Sequence, residues 1–144
     1  MQNRTKSAAP KTAIVHADGG SRGNPGPAAI GAVVADADGA VLEEVSERIG
    51  VTTNNVAEYR ALIAGLRAAA QLQFETVFVR MDSELVIKQL RGEYRVKNER
   101  LRPLYEEARR LLAGFTSFDL KHVPRAQNRE ADRLVNRALD AARG

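Results

Sequence analysis

In the first third of the chain, apolar residues fall in short runs broken by turn residues. Ala13 to Ala17 is one such run, and Ala28 to Val34 is a second. Between them lies Asp18-Gly19-Gly20-Ser21-Arg22-Gly23-Asn24-Pro25-Gly26-Pro27, dense in Gly, Asn and Pro. Strand-like runs joined in this way predict a hairpin with an irregular turn. Asp36-Ala37-Asp38-Gly39 is a second turn signal, followed by a less regular third strand over Val41 to Gly50. The chain thus begins as an antiparallel meander, with Asp18 ending the first strand.

The apolar period then lengthens to that of a helix. Glu58, Leu62, Leu66 and Ala69 share one helical face, with Tyr59, Ile63 and Ala70 beside them. This predicts a helix from near Asn55 to about Leu72. Thr76 to Met81 reads as a buried strand and Ser83 to Leu90 as a short helix. Asn98 to Leu112 reads as another helix, stopped by Gly114. Phe118 to Val123 is a fifth strand and Gln127 to Ala142 a last helix. The order is βββαβααβα. Strands separated by helices join a sheet as parallel neighbours. The expected fold is therefore α/β, a five-stranded mixed sheet with helices on both faces.

The length of 144 residues and the hydrophobic fraction of 44% suit one domain with a packed core. We expect a disordered leader over residues 1–11 and a single domain over 12–144. No apolar run approaches the ~20 residues of a membrane span, and the first ten residues lack the apolar centre of a signal peptide. With no cysteine, disulfides and thiolate metal sites are excluded, which fits a cytoplasmic protein.

The net charge is only +4, but it is unevenly placed. Residues 36–58 carry six acidic side chains against Arg48, whereas 91–102 and 121–137 each carry five basic and two acidic ones. Such a layout suits one positive face for a polyanion, and equally a solvated helix surface laced with ion pairs.

Four acids stand where acids are awkward. Asp18 and Asp82 end the first and fourth strands. Glu58 and Asp132 share helical faces with Leu62 and Leu66, and with Val135 and Leu139. Each has a plain structural reading. Asp18 can start a turn, and Asn55-Val56-Ala57-Glu58 fits a capping box. Asp82-Ser83 can cap the next helix, and Asp132 suits a helix start. If strands one and four are neighbours, however, Asp18 and Asp82 lie side by side at the sheet end where ligands of α/β folds collect. Clustered carboxylates repel unless protonated or bridged by a cation. Oxygen ligands without cysteine point to Mg²⁺ or Mn²⁺ rather than zinc.

At these residues the chain resembles type 1 ribonuclease H, the ribonuclease HI family. The resemblance is carried by Asp18 to Gly26, Thr52-Thr53-Asn54-Asn55-Val56-Ala57-Glu58-Tyr59, Met81-Asp82-Ser83 and Asn128-Arg129-Glu130-Ala131-Asp132, in the family's order. It covers the chain from about Thr12 to Ala142. It implies a ribonuclease H-like fold and endonucleolytic hydrolysis of the RNA strand of an RNA–DNA hybrid, leaving 5′-phosphate and 3′-hydroxyl ends. Asp18, Glu58, Asp82 and Asp132 match the catalytic carboxylates that hold two Mg²⁺ ions, for which Mn²⁺ can substitute. Gly20, Ser21, Asn24, Thr53, Asn54 and Asn55 match the stretches that contact the hybrid. The family implies no membrane partner and a chain able to work as a monomer.

The sequence departs from many members in two places. The loop before the last carboxylate is short, Val123-Pro124-Arg125-Ala126-Gln127, and resembles the archaeal-like branch. His122 belongs to the end of the fifth strand, so the family's loop histidine has no match there. Arg125 is the candidate substitute, acting electrostatically on the scissile phosphate, since arginine does not shuttle protons. After Leu90 the chain also lacks the basic handle that grips the DNA strand in some members, and Arg91, Arg95 and Lys97 are candidates to replace part of it. This predicts weaker, more salt-sensitive binding than in handle-bearing members.

Three other readings compete. A non-catalytic binding module on the same fold would lack a carboxylate, and all four are present. An integrase-like or resolvase-like nuclease would lack the Asn-Asn-Val-Ala-Glu helix start. A dinucleotide-binding domain would run from its Gly-rich turn into a helix, whereas Pro25-Gly26-Pro27 runs into a strand.

Overall fold

A computed structural model describes residues 11–141. All but one residue of the expected leader lies outside them. Five strands form one sheet: β1 (Thr12–Ser21), β2 (Gly26–Asp36), β3 (Val41–Thr52), β4 (Thr76–Met81) and β5 (Ser117–His122). The helices are α1 (Asn54–Gln71), α2 (Glu84–Leu90), α3 (Arg102–Ala113) and α4 (Arg129–Ala141). A 3₁₀ turn, Arg125–Asn128, leads into α4. No helix among the described residues is long and apolar enough to cross a membrane.

The strand order is β3-β2-β1-β4-β5. β1 and β2 are antiparallel, as are β2 and β3, while β4 runs parallel to both β1 and β5. This is the expected mixed sheet, and β1 and β4 are neighbours. β1 extends past the apolar run to Ser21, so Asp18 lies within the strand, opposite Gly31 of β2, and does not end it. The extra pairing comes from the glycines, which add no side chain but complete the ladder with Ala28 to Ile30.

Alternation along β1 buries Ala13, Val15 and Ala17 under α1 and turns Asp18 to the other face. The main core lies on the α1 side, where Tyr59, Leu62, Leu66, Met81, Ile87, Leu90 and Leu112 are almost wholly buried. Each such large side chain contributes about 1.5–3 kcal/mol by leaving water. On the opposite face Val135, Ala138 and Leu139 of α4 pack on Ala29. Helices thus cover both faces, as expected.

Two close approaches set where the helices sit. A Cβ on Gly19 would fall 2.2 Å from the backbone carbonyl of Ala57 and 2.6 Å from the Glu58 nitrogen. A Cβ on Gly31 would fall 2.3 Å from the carbonyl oxygen of Ala131. Hydrogen at these two positions lets the start of α1 and the start of α4 lie directly on the sheet.

Candidate active site

α1 begins two residues earlier than the expected capping box requires. Its N-cap is Thr53, whose Oγ1 accepts the Val56 N–H at 3.3 Å. Glu58 is then the fifth helical residue, past the first turn, and caps nothing. The reading of Asn55 to Glu58 as a capping box is corrected accordingly. Likewise Ser83, not Asp82, caps α2, accepting the Val86 N–H at 3.3 Å. Asp132 does lie in the first turn of α4, where an acid suits the macrodipole.

Asp18, Glu58, Asp82 and Asp132 line one open cleft of about 470 Å³, with Gly20, Ser21, Asn24, Asn54, Asn55 and Arg125. All four carboxylates are half-buried. Burial and neighbouring charge act together on Asp18 and Glu58. Burial, then the charge of Asp82, then contact with Asp132 and Glu58, raise the Asp18 carboxyl to about 8. Burial raises Glu58 to about 7, with the Asp82 charge adding and a hydrogen bond from Ser83 opposing.

Two polar side chains with no role assigned from the sequence hold this cluster. Ser83 Oγ donates to Glu58 Oε1 at 3.0 Å. Asn128, buried, donates through Nδ2 to the Ala17 carbonyl at 2.9 Å and to Asp82 Oδ1 at 3.2 Å. It thereby ties the turn before α4 to the middle of β1 and the end of β4. Both residues sit inside the family-like motifs, beside Asp82 and four before Asp132. That proximity was the available signal.

The remaining candidates divide. Ser21 donates its N–H and its hydroxyl to Asn54 Oδ1 at 2.8 and 3.0 Å, and Asn24 Oδ1 accepts the Asn54 N–H at 3.1 Å. These bonds lock the β1–β2 turn to the start of α1. Thr53 does not line the carboxylate cleft. It lines an adjoining cavity with Asn24, Asn55 and Asn98 to Leu101. Arg125 is 76% exposed and stands 3.6 Å from Asp132 Oδ1. His122 closes β5 opposite Met81, is exposed, and does not line the cleft.

Between α2 and α3 the chain has no helix, so the basic handle is absent. Arg91 is committed elsewhere, donating to the Leu120 carbonyl at 2.6 Å and facing Glu93 at 3.7 Å. Arg95 and Lys97 instead line a cavity with Tyr94, Arg102 and Tyr105.

The cleft has carboxylate donors and no thiol or imidazole, which suits a hard divalent cation. Among the described residues no three such side chains already stand at metal-holding geometry. The mutual repulsion at Asp18 is what a cation drawn between them would relieve.

This strand order, with helices on both faces and acids gathered at the carboxyl end of β4, defines a ribonuclease H-like α/β fold. Residues 16–138 match a family model described as reverse transcriptase-like. Ribonuclease HI of Halobacterium salinarum is 52% identical over 130 residues, covering 89% of this chain and 65% of that protein. The solved N-terminal ribonuclease H domain of a Mycobacterium tuberculosis protein aligns at TM-score 0.87 and 51% identity, over 88% of this chain and 98% of that one. A ribonuclease H1 designated LC11, solved in complex with an RNA/DNA hybrid, aligns at TM-score 0.86 and 42% identity, over 92% and 99%. The chain spans 36% of the length of the curated mycobacterial relatives it matches. It belongs to the ribonuclease H family, in its type 1 branch.

Proposed function

We propose that this chain is an endonuclease that hydrolyses the RNA strand of RNA–DNA hybrids and leaves 5′-phosphate and 3′-hydroxyl ends. The observation that carries the reading is the gathering of Asp18, Glu58, Asp82 and Asp132 in one open cleft, where burial and then the neighbouring carboxylates raise Asp18 to about 8. The relative solved with an RNA/DNA hybrid supports the substrate class. The four carboxylates would hold a pair of Mg²⁺ ions, or Mn²⁺ in their place. Such ions, when bound, activate water and stabilise the leaving oxygen of an in-line displacement.

The chain's own residues supply the rest. Ser83 and Asn128 orient Glu58 and Asp82 by hydrogen bonds. Gly20, Ser21, Asn24, Asn54 and Asn55 offer backbone and amide groups to phosphate and sugar along the cleft, with Thr53 beside it. A 2′-hydroxyl read there separates RNA from DNA. Arg125 steadies the scissile phosphate, and Arg95 and Lys97 face the DNA strand.

The test is cleavage of a labelled hybrid in Mg²⁺, beside matched double-stranded RNA and DNA, by wild type and Asp82→Asn. Hybrid cleavage lost in the variant is expected. A folded wild type that cleaves no hybrid in Mg²⁺ or Mn²⁺ rejects the reading in favour of a binding module.

A further inference from the structure

Among the described residues lining the carboxylate cleft, two carry positive charge, Arg125 and Arg22. The functional reading above gives Arg22 nothing to do. Its backbone is fixed, since its N–H donates to the Pro27 carbonyl at 2.9 Å across the β1–β2 turn. Its side chain is 40% exposed, and Nη2 donates to Asp140 Oδ1 at 2.7 Å.

Asp140 is an odd partner. It belongs to the last turn of α4, where a negative charge opposes the helix macrodipole, and it is 65% exposed. Helix stability does not account for an acid there. An ion pair this exposed is weak and screened by salt. What it does is hold a long guanidinium at the mouth of the cleft. A phosphate diester presents two oxygens to the same fork and makes the stronger, bidentate partner.

We propose that Arg22 is a phosphate contact for the strand that threads the cleft, the RNA strand. The Asp140 carboxylate stands in for that phosphate until substrate arrives. The inference rests on the cleft being the hybrid-cleaving site. Arg22 lies just past β1, four residues beyond Asp18, or roughly 13 Å at strand rise, so the phosphate it takes lies further along the cleaved strand than the scissile one. Exchange needs only rotation of the Arg22 side chain, with no backbone movement.

The experiment compares wild type, Arg22→Ala, Asp140→Asn and the double variant. Binding of a fluorescent hybrid is followed by anisotropy in EDTA across salt, and cleavage kinetics are measured in Mg²⁺. Arg22→Ala should weaken Kd and KM on the order of fivefold with kcat nearly unchanged, and lower the log–log salt slope by about one. Asp140→Asn should do the opposite, tightening binding about twofold at low salt by removing the competitor. That gain should vanish in the double variant. An unchanged salt slope in Arg22→Ala overturns the phosphate contact. Weaker binding by Asp140→Asn means the pair merely supports the turn, and tightening that survives without Arg22 means a general charge effect. Either result overturns the stand-in role. Should Arg22→Ala fail to fold, Arg22→Gln reads the same slope at nearly native side-chain length. If wild type binds hybrid but cleaves none, the catalytic reading fails while the slope still decides whether Arg22 meets a phosphate.

Discussion

Ser83 Oγ donates to Glu58 Oε1 at 3.0 Å and, through the same oxygen, accepts the Val86 N–H at 3.3 Å. One hydroxyl thus caps α2 and orients a carboxylate of α1. Its bond favours the ionised form of Glu58 against the burial that raises that group to about 7. Ser83→Ala should therefore move Glu58 further up. The acid limb of the pH–rate profile should shift to higher pH, and half-saturation should need more Mg²⁺. Loss of the cap should also cost roughly 1 kcal/mol of stability. Ser83→Thr should restore both. A profile that stays in place in Ser83→Ala would show that the hydroxyl serves the cap alone.

Asp18 and Glu58 make the ion-free protein's stability depend on pH in a defined direction. Both carboxyls are raised in the fold, from 3.8 to about 8 and from 4.5 to about 7. The native state thus holds protons that the unfolded chain has already released. Their contribution is full below about pH 4 and is lost as pH rises through 7 and 8. In EDTA, the Tm of wild type should fall between about pH 5 and pH 9, and the fall should be smaller in Asp18→Asn. At about pH 8, removal of a buried charge and of its repulsion by Asp82 should leave that inactive variant more stable than wild type by roughly 1–3 kcal/mol. Added Mg²⁺ should raise the wild-type Tm more at pH 8 than at pH 5. Melting curves over this range, with and without the ion, decide it. A pH-independent Tm in EDTA would mean the four acids are not crowded.

Much of this site could be read in the sequence because strand alternation and helical period fix which way a side chain faces. Glu58 shares a face with Leu62 and Leu66, so it had to point toward the sheet. Helices placed between β3, β4 and β5 predict parallel pairing within a mixed sheet, whereas the adjacency of β1 and β4 comes from packing. What could not be read depends on contacts between distant segments. The sequence cannot tell whether Asn55 or Thr53 caps α1, because both are good caps, and the choice is made by Asn24 and Ser21 reaching across to Asn54. It cannot show that Gly31 matters, since its neighbour Ala131 lies a hundred residues later and meets it only through packing. In the sequence Asn128 stands only as the first residue of the motif that ends in Asp132. Its role appears only when Ala17 and Asp82 come within reach of its amide.

Arg125 touches the cluster loosely, 3.6 Å from Asp132 and 76% exposed, as befits a group that waits for substrate. Its guanidinium cannot move a proton at neutral pH, so its effect must be on charge. Arg125→Ala should lower kcat by about 10- to 100-fold, below the roughly 100- to 1,000-fold for loss of one electrostatic donor in a dry site, because Arg125 is exposed. Stability should change little, because exposed ion pairs hold little. Arg125→Lys should recover part of the rate and leave the pH optimum in place. Full activity in Arg125→Ala, in single-turnover assays with saturating enzyme, would remove it from the catalytic set.

The seating of α4 on the sheet should prove as important as any carboxylate. A methyl at Gly31 would meet the Ala131 carbonyl oxygen at 2.3 Å, with Leu134 Cβ and the Val135 nitrogen at 3.0 Å. These are mostly backbone atoms of a helix, which cannot give way singly, so α4 must move outward as a unit. That would strain the Ser46 Oγ bond to the Leu134 carbonyl, now 2.7 Å, and draw Asp132 away from Asp18. Gly31→Ala should therefore lose about 1–3 kcal/mol or more by overpacking, with Mg²⁺ affinity and kcat falling together. Gly39→Ala is the contrast. Gly39 has φ +91° with open space around it, so alanine there should cost only about 1 kcal/mol of backbone strain and leave activity intact. Comparing Tm, kcat and half-saturating Mg²⁺ in the two variants separates a stability loss from a displaced ligand. If both variants lose only stability, the contact at Gly31 does not set the position of Asp132, and the turn held by Asn128 must do so instead.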